Sequence, residues 1–474
     1  MTRRSLLSLT ASVGAGLALR RPSLAFQSGP RIVQADLEAK AGWIPLAGRK
    51  AYRYGYNNQV PGPLVEARPG DTMRIRFTNS LPEATNPHFH GLHVPPTGAA
   101  DNSFVMVAPG EQFQYELPLA ANHPGGAFWI HPHMHGAVAR QVWRGLAAPV
   151  IVRGELDAIP EIQAAAEVVL VLQDVTLDTG GVPVEPGFMQ QMAGREGSVI
   201  TASGSVNPTI PIQKDGWVRL RLINASCSRF YRLQLEEHDL YQIASDGGSL
   251  PVPVGLDELL LLPGQRADLM IQGSRAPGAY RLLNLPYNRG AIGMGMGMGM
   301  GMMGGMGVTS PSGASSTIAT LAYSGQANRV VPLPQKLVSV KPLPPPARVR
   351  SFVLGQSMGP GMMGGGMGFG INGRTFDPSR VDTRVRLGDV EDWEFVNPMA
   401  MDHPMHIHTN AFQIVQPDGS AQPAWQDVVL VRAGERVRVR MAFQDFIGKL
   451  MYHCHILDHE DLGMMGVLEI SDDA

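Results

Sequence analysis

Four short histidine clusters dominate the chemistry open to this chain. They read His88-Phe89-His90-Gly91, Trp129-Ile130-His131-Pro132-His133, His403-Pro404-Met405-His406-Ile407-His408 and His453-Cys454-His455, the last followed by His459 and Met464. Side chains alternate across a β-strand, so a His-x-His pair sends both imidazoles to one face. Four such pairs can surround one cavity with eight imidazoles, which suits several metal ions held close together. Neutral imidazole is a good copper ligand. A structural zinc site would close with four ligands and would favour more cysteines. The same alternation turns Cys454 away from His453 and His455. Its thiolate can then bind a separate copper with His403 and His459, and Met464 is a natural weak axial ligand. Two histidines, one cysteine and one methionine form the donor set of a blue-copper electron-transfer centre. The covalent path from Cys454 to its two neighbours would connect that centre to the cavity. His93, His123 and His238 read as solvated or structural, and His135 as non-ligating.

The elements that must position these residues read as β. Val437-Arg438-Val439-Arg440-Met441 and Val218-Arg219-Leu220-Arg221-Leu222 alternate apolar and polar residues, as half-buried strands do. Three segments share a turn and a strand ending in Asn: Gly70 to Asn79, Gly216 to Asn224 and Gly388 to Asn397. A second shared turn and strand follows each, at Pro109-Gly110-Glu111, Pro263-Gly264-Gln265 and Ala433-Gly434-Glu435. A third shared strand begins at Gly126, Gly278 and Gly448. Three similar all-β units imply three consecutive sandwich domains of related fold. The expected ranges are 26–155, 160–330 and 340–474, with linkers near Gly154 to Ala164 and Pro332 to Pro346. Histidines occupy equivalent places in the first and third units only. The metal chemistry is therefore expected between those two, with the middle unit as a spacer.

Composition narrows the classes. A chain of 474 residues with formal net charge -2 has nothing to steer it toward nucleic acid or an acidic membrane face. Two cysteines in an exported protein would suggest a disulfide, but commitment of Cys454 to metal leaves Cys227 free and buried. Residues 1–25 resemble an export signal: Thr2-Arg3-Arg4-Ser5-Leu6-Leu7 is similar to a twin-arginine motif. A short apolar run follows, and Ser23-Leu24-Ala25 offers a cleavage site before Phe26. A periplasmic location is expected, with no membrane span in the mature chain.

With all four clusters in order, the sequence resembles the three-domain multicopper oxidases: laccases, bilirubin oxidases and bacterial copper-efflux oxidases. The resemblance covers nearly all of the mature chain. It implies three cupredoxin-like Greek-key sandwiches and four copper ions per chain. By the match, His88 and His406 would hold the type 2 copper, and His90, His131, His133, His408, His453 and His455 the type 3 pair. His403, Cys454, His459 and Met464 would hold type 1. The implied reaction couples four one-electron oxidations of a substrate to reduction of dioxygen to water. Glu460 follows His459, where similar enzymes carry a proton-donating acid, and Asp101 lies in the region of a second one, with two extra residues intervening. Either could instead be a surface carboxylate. A copper-free, twin-arginine-exported cell-division branch of the family has lost its ligands, whereas none is missing here.

Gly and Met alternate from Met294 to Met300 and continue through Met302, Met303 and Met306; a second patch holds Met358, Met362, Met363 and Met367. Thioether sulfur is soft and selects Cu(I). Copper-efflux oxidases also carry Met-rich stretches, so Cu(I) oxidation in copper tolerance is the expected activity. The first tract departs from that pattern by lying at the end of the second unit. Met399 and Met401 could form an electron-entry point, although position 399 lacks the Asp of the efflux enzymes. The alternatives are laccase-like oxidation of small phenols or aromatic amines, and copper binding without turnover. A monomer is expected.

Overall fold

The computed structural model describes residues 29–290, 314–358 and 367–473. The export segment with its cleavage site, the tract Met294–Met306, and Met362 and Met363 lie outside the described residues. Among those described, the strands form six sheets in three successive pairs. The first pair comprises two four-stranded sheets between Ile32 and Val152. The second comprises six- and five-stranded sheets between Ala166 and Gln326. The third comprises two five-stranded sheets between Arg348 and Ser471. Each pair closes over its own apolar core, centred for example on Phe77 and Phe128, on Leu222 and Leu269, and on Trp393 and Phe395. The fold is all-β, three consecutive cupredoxin-like sandwiches. No helix among the described residues is long and apolar enough to cross a membrane.

The repeat seen in the sequence has a structural counterpart. In each unit the long first strand runs parallel to the Asn-ending strand: Ile32–Trp43 beside Thr72–Ser80, Ala166–Val175 beside Trp217–Asn224, and Arg348–Met358 beside Val390–Val396. The terminal Asn then works as a clamp. Asn79 donates its amide to Glu83 and Val107 carbonyls, Asn224 to those of Arg229 and Leu261, and Asn397 to those of Met401 and Val431. Each clamp ties the outgoing loop to backbone further along the chain, satisfying acceptors that burial would otherwise leave unpaired. In the third unit the tied loop leads straight into His403.

Two expectations change. Trp217–Asn224 is buried on both faces, although its alternation suggested one wet face. Arg219 and Arg221 do not reach solvent; they pair with Asp157, Glu167 and Asp268. A buried charge is tolerated only when paired and hydrogen-bonded, and this network supplies that. Asp157 comes from the expected linker near Gly154 to Ala164, which folds as the short helices Glu155–Ala158 and Pro160–Gln163 and packs against the middle unit.

Candidate metal centre

The first two histidine clusters lie on neighbouring strands, Pro87–His90 and Gly126–Pro132, in antiparallel register with His88 opposite His131. The third and fourth repeat this arrangement on His403–Ile407 and Gly448–Cys454, with His406 opposite His453. Opposed residues on paired strands share a face at close range, so each sandwich presents a ready patch of imidazoles. The two patches meet. His88 stacks on His408 with ring centres 3.9 Å apart, and His90 stacks on His406 at 3.9 Å. His133, His408 and His453 converge through Nε2, at 3.2 Å and 3.1 Å from His453. His90, His131 and His455 form a second trio, with centroid separations of 5.6, 5.0 and 5.6 Å. All eight are buried.

The hydrogen bonds decide which nitrogen faces inward. His88 donates Nδ1–H to Asp101 at 3.0 Å, and His131 donates Nδ1–H to the Pro132 carbonyl at 2.9 Å. His406 donates Nδ1–H to the Asp427 carbonyl at 2.7 Å, while His90 donates Nε2–H to the Asp427 carboxylate at 3.0 Å. The opposite nitrogens (His88 Nε2, His90 Nδ1, His131 Nε2, His406 Nε2 and both of His455) are buried without a partner among the described residues. Unpartnered buried polar groups are costly; on His88, His90, His131 and His406 the free nitrogen is the lone-pair one, and on His455 one of the two is. Metal ligands show this pattern, with the outer N–H fixing the tautomer. Burial, reinforced by neighbouring imidazoles, holds His90, His131, His406, His408 and His455 well below the ordinary histidine range. His133 is pushed down to about 3, with burial outweighing Glu460. These imidazoles are therefore neutral at neutral pH, as metal ligation requires.

Cys454 faces the other way, as alternation requires. Its Sγ lies 3.5 Å from His403 Nδ1 and 3.7 Å from His459 Nδ1, and those nitrogens are 3.3 Å apart. Such separations fit three donors sharing one ion at bond lengths of roughly 2.0–2.3 Å. Burial raises the Cys454 thiol and lowers His403 to about 3, with Arg289 a further cause for the imidazole. A thiolate in this pocket therefore needs a metal cation beside it. Met464 is fully buried in the same core, and its carbonyl accepts from the Cys454 amide. The short helix Leu457–Asp461 separates the remaining pair. Consecutive helical residues diverge by about 100°, so His459 turns back to Cys454 while Glu460 turns to the eight-imidazole cavity. Glu460 lies 3.1 Å from His453 Nδ1 and 3.5 Å from His133 Nε2. Asp101 is also buried and accepts from the Phe89 amide as well as from His88; neither acid is a surface carboxylate.

His135 is exposed against Phe376, and His238 meets the Tyr323 hydroxyl. His93 and His123 hydrogen-bond locally. Cys227 is a buried free thiol.

The middle unit is more than a spacer. Its Arg266 forms a bidentate pair with Asp427, both bonds 2.6 Å, and also donates to the Ala127 carbonyl in the first unit. One buried guanidinium thus joins all three sandwiches behind His90 and His406. The middle unit also supplies the Met192 carbonyl that accepts His459 Nε2–H at 2.9 Å. Its Gly264, at φ +83°, lies so close that an added Cβ would stand 2.7 Å from the His455 ring. Sequence reading missed Asp427, Arg266 and Gly264. Gly264 did stand out as part of the repeated turn, but only contact reveals its neighbour. Gly264→Ala is expected to push His455 aside and to cost about ten- to a hundredfold in copper retention or turnover, the scale for disturbing a ligand's support. Copper per chain and oxygen uptake measure this, and full loading with normal turnover would show that the close approach is unimportant.

Fold and donor set together define a class, that of copper-binding oxidases built from cupredoxin-like sandwiches. Family models described as multicopper oxidase match residues 39–157, 174–297 and 344–474. The chain belongs to the multicopper oxidase family. It is 26% identical over 429 residues to the multicopper oxidase mco of Staphylococcus haemolyticus, covering 88% of this chain and 84% of the relative. It is 30% identical over 411 residues to the cell division protein FtsP of Yersinia pestis, covering 83% and 79%. Among solved structures, a multicopper oxidase of Campylobacter jejuni described as a metallo-oxidase superposes with a TM-score of 0.78 at 30% identity, covering 96% of this chain and 98% of that one.

Proposed function

We propose that this chain is a four-copper oxidase that reduces dioxygen to water, with Cu(I) as its reductant. In this reading His403, Cys454, His459 and Met464 hold the type 1 copper and His88 and His406 the type 2. His90, His131, His133, His408, His453 and His455 hold the type 3 pair. Copper bound there would supply one-electron acceptance at the first centre and four-electron reduction of dioxygen at the others. The chain's own residues do the rest. Cys454 is bonded through the backbone to His453 and His455, a short covalent route between centres. Glu460, despite its burial held below the ordinary carboxylate range by His453 and His133, relays protons beside those imidazoles, and Asp101 fixes His88 while offering a second carboxylate. We further propose export by the twin-arginine route to the periplasm and a monomeric state.

The observation that favours Cu(I) is where the Met-rich segments are rooted. Gly290, the last described residue before the first tract, bridges Met401, two residues from His403. Met358 and Met367, which stand at the two ends of the second patch in sequence, pair across the hairpin of Arg348–Met358 and Met367–Ile371, whose Phe369 stacks on His459 at 4.0 Å. The described residues that flank the two soft-sulfur segments thus belong to elements that contact the His403–His459 pocket. Met399 packs, half-buried, on the same core. Deletion of Met294–Met306 is expected to raise the KM for Cu(I) roughly tenfold by removing local thioether capture. Turnover of a small phenol should stay unchanged. Unaltered Cu(I) kinetics would remove the tract from this function.

A small phenol or aromatic amine is the second reading. A cavity of about 380 Å³ beside the type 1 pocket is lined by Phe230, Tyr287 and Arg289, among others. Phe230 and Tyr287 stack at 5.2 Å, and Tyr287 donates to Asp402, which precedes His403. Visible and EPR spectra of the copper-loaded chain during oxygen uptake, with Cu(I) or a phenol as reductant, separate the cases. Copper uptake without oxygen consumption would indicate a binding protein, and absence of copper uptake would end the proposal.

A further inference from the structure

We propose that Arg289 is a positioning residue for both imidazoles of the His403–Cys454–His459 pocket, and that its buried charge raises that centre's affinity for an electron. The inference rests on the type 1 reading of that pocket.

Arg289 is almost fully buried, and its fork closes on backbone carbonyls. Nη1 donates to the Ser228 carbonyl at 2.5 Å; Nη2 donates to those of Ala193 at 2.5 Å and Gly194 at 2.6 Å. Ala193 ends the helix Phe188–Ala193, whose terminal carbonyls lack intrahelical partners. The adjoining carbonyl, that of Met192, orients His459 through its Nε2–H. The guanidinium therefore pins the run of backbone that sets the His459 ring. Its main chain acts on the other imidazole. The Arg289 carbonyl accepts from the Asp402 amide at 2.8 Å, and Gly290 bridges Met401, so the two residues preceding His403 are tied to this segment. One residue thus couples two ligands that lie 56 positions apart in the chain.

The carboxylate set against this charge is less buried than the guanidinium itself. Glu196 is the carboxylate paired with Arg289, at 2.9 Å, and it is shared with Arg229 at 3.0 Å. Arg229 also holds Asp174 at 2.8 Å. A buried cation opposes the more positive, oxidised state of a neighbouring ion more than the reduced one, and low dielectric preserves the effect. Arg289 therefore favours reduction, and the partly exposed Glu196 opposes it.

The test uses copper-loaded full-length protein and titrates the blue band against a redox mediator. Arg289→Met is expected to keep a blue band but to lower the reduction equilibrium constant about tenfold, which is about 59 mV for a one-electron couple. Glu196→Gln leaves Arg289 in place and should shift the equilibrium the opposite way; it serves if Arg289→Met does not fold. Arg289→Lys should hold the potential near that of the parent protein while altering the type 1 EPR hyperfine pattern, because a point charge cannot reproduce the fork. A parent-like potential in Arg289→Met, or in Glu196→Gln where the first variant fails to fold, would overturn the inference. A parent protein without any blue band would instead overturn the type 1 reading, and this inference with it.

Discussion

Cys454→Ser is expected to fold and to bind copper in the eight-imidazole cavity, yet to be colourless and unable to accept electrons from any reductant. Cys454 is fully buried, and Ser nearly matches its volume, so the sandwich should survive. What disappears is the soft donor. A neutral hydroxyl replaces a thiolate between His403 and His459, and the blue absorption requires the copper–thiolate bond. The covalent link to His453 and His455 remains, but it starts from an atom that holds no redox centre. Turnover should fall at least about a thousandfold, the scale at which loss of an essential member leaves only residual activity. Copper content should drop from four per chain toward three, with the type 2 EPR signal retained. A variant that stayed blue would show that Cys454 is not the ligand.

Glu460→Gln should separate electron entry from oxygen reduction. Glu460 is wholly buried and, among the described residues, neither carboxylate oxygen has a well-aligned hydrogen-bond partner, although His453 and His133 stand 3.1 and 3.5 Å away. Gln keeps shape and hydrogen-bonding capacity but cannot release a proton. Reductant should still bleach the blue centre at the parent rate, while oxygen uptake slows about a hundredfold or more, within the range for lost general-acid function. A structural role alone would disturb copper loading and leave no such split. Normal oxygen uptake would discard the proton role. Asp101 is distinguished by its contacts: with one oxygen on His88 and the Phe89 amide, it also anchors a ligand.

Much of the site was legible because strand geometry is local. The period of two carries His453 and His455 to one face and Cys454 to the other wherever the strand lies, and His-x-His works the same way at His88, His131 and His406. The three Asn-ending strands were legible for a similar reason, since each belongs to a unit that folds around its own core. The middle unit misled because its contribution runs through contacts with distant residues. Arg266 reaches Asp427 across 161 positions, and the Met192 carbonyl reaches His459 across 267. Arg219 and Arg221 looked solvent-facing because alternation cannot reveal that Asp157 and Glu167 cover the second face.

Sequence alone determined the three-sandwich architecture and the separation of Cys454 from the flanking histidines into two pockets, because side-chain alternation acts over a few bonds. Only the tertiary structure decided which nitrogen of His88, His90, His131 and His406 carries the outward hydrogen bond, that Glu460 and Asp101 are buried against the histidines, and that Gly290 bridges Met401 while Phe369 stacks on His459. Those outcomes depend on hydrogen-bond partners and neighbours brought in by packing three domains together, which no local pattern encodes.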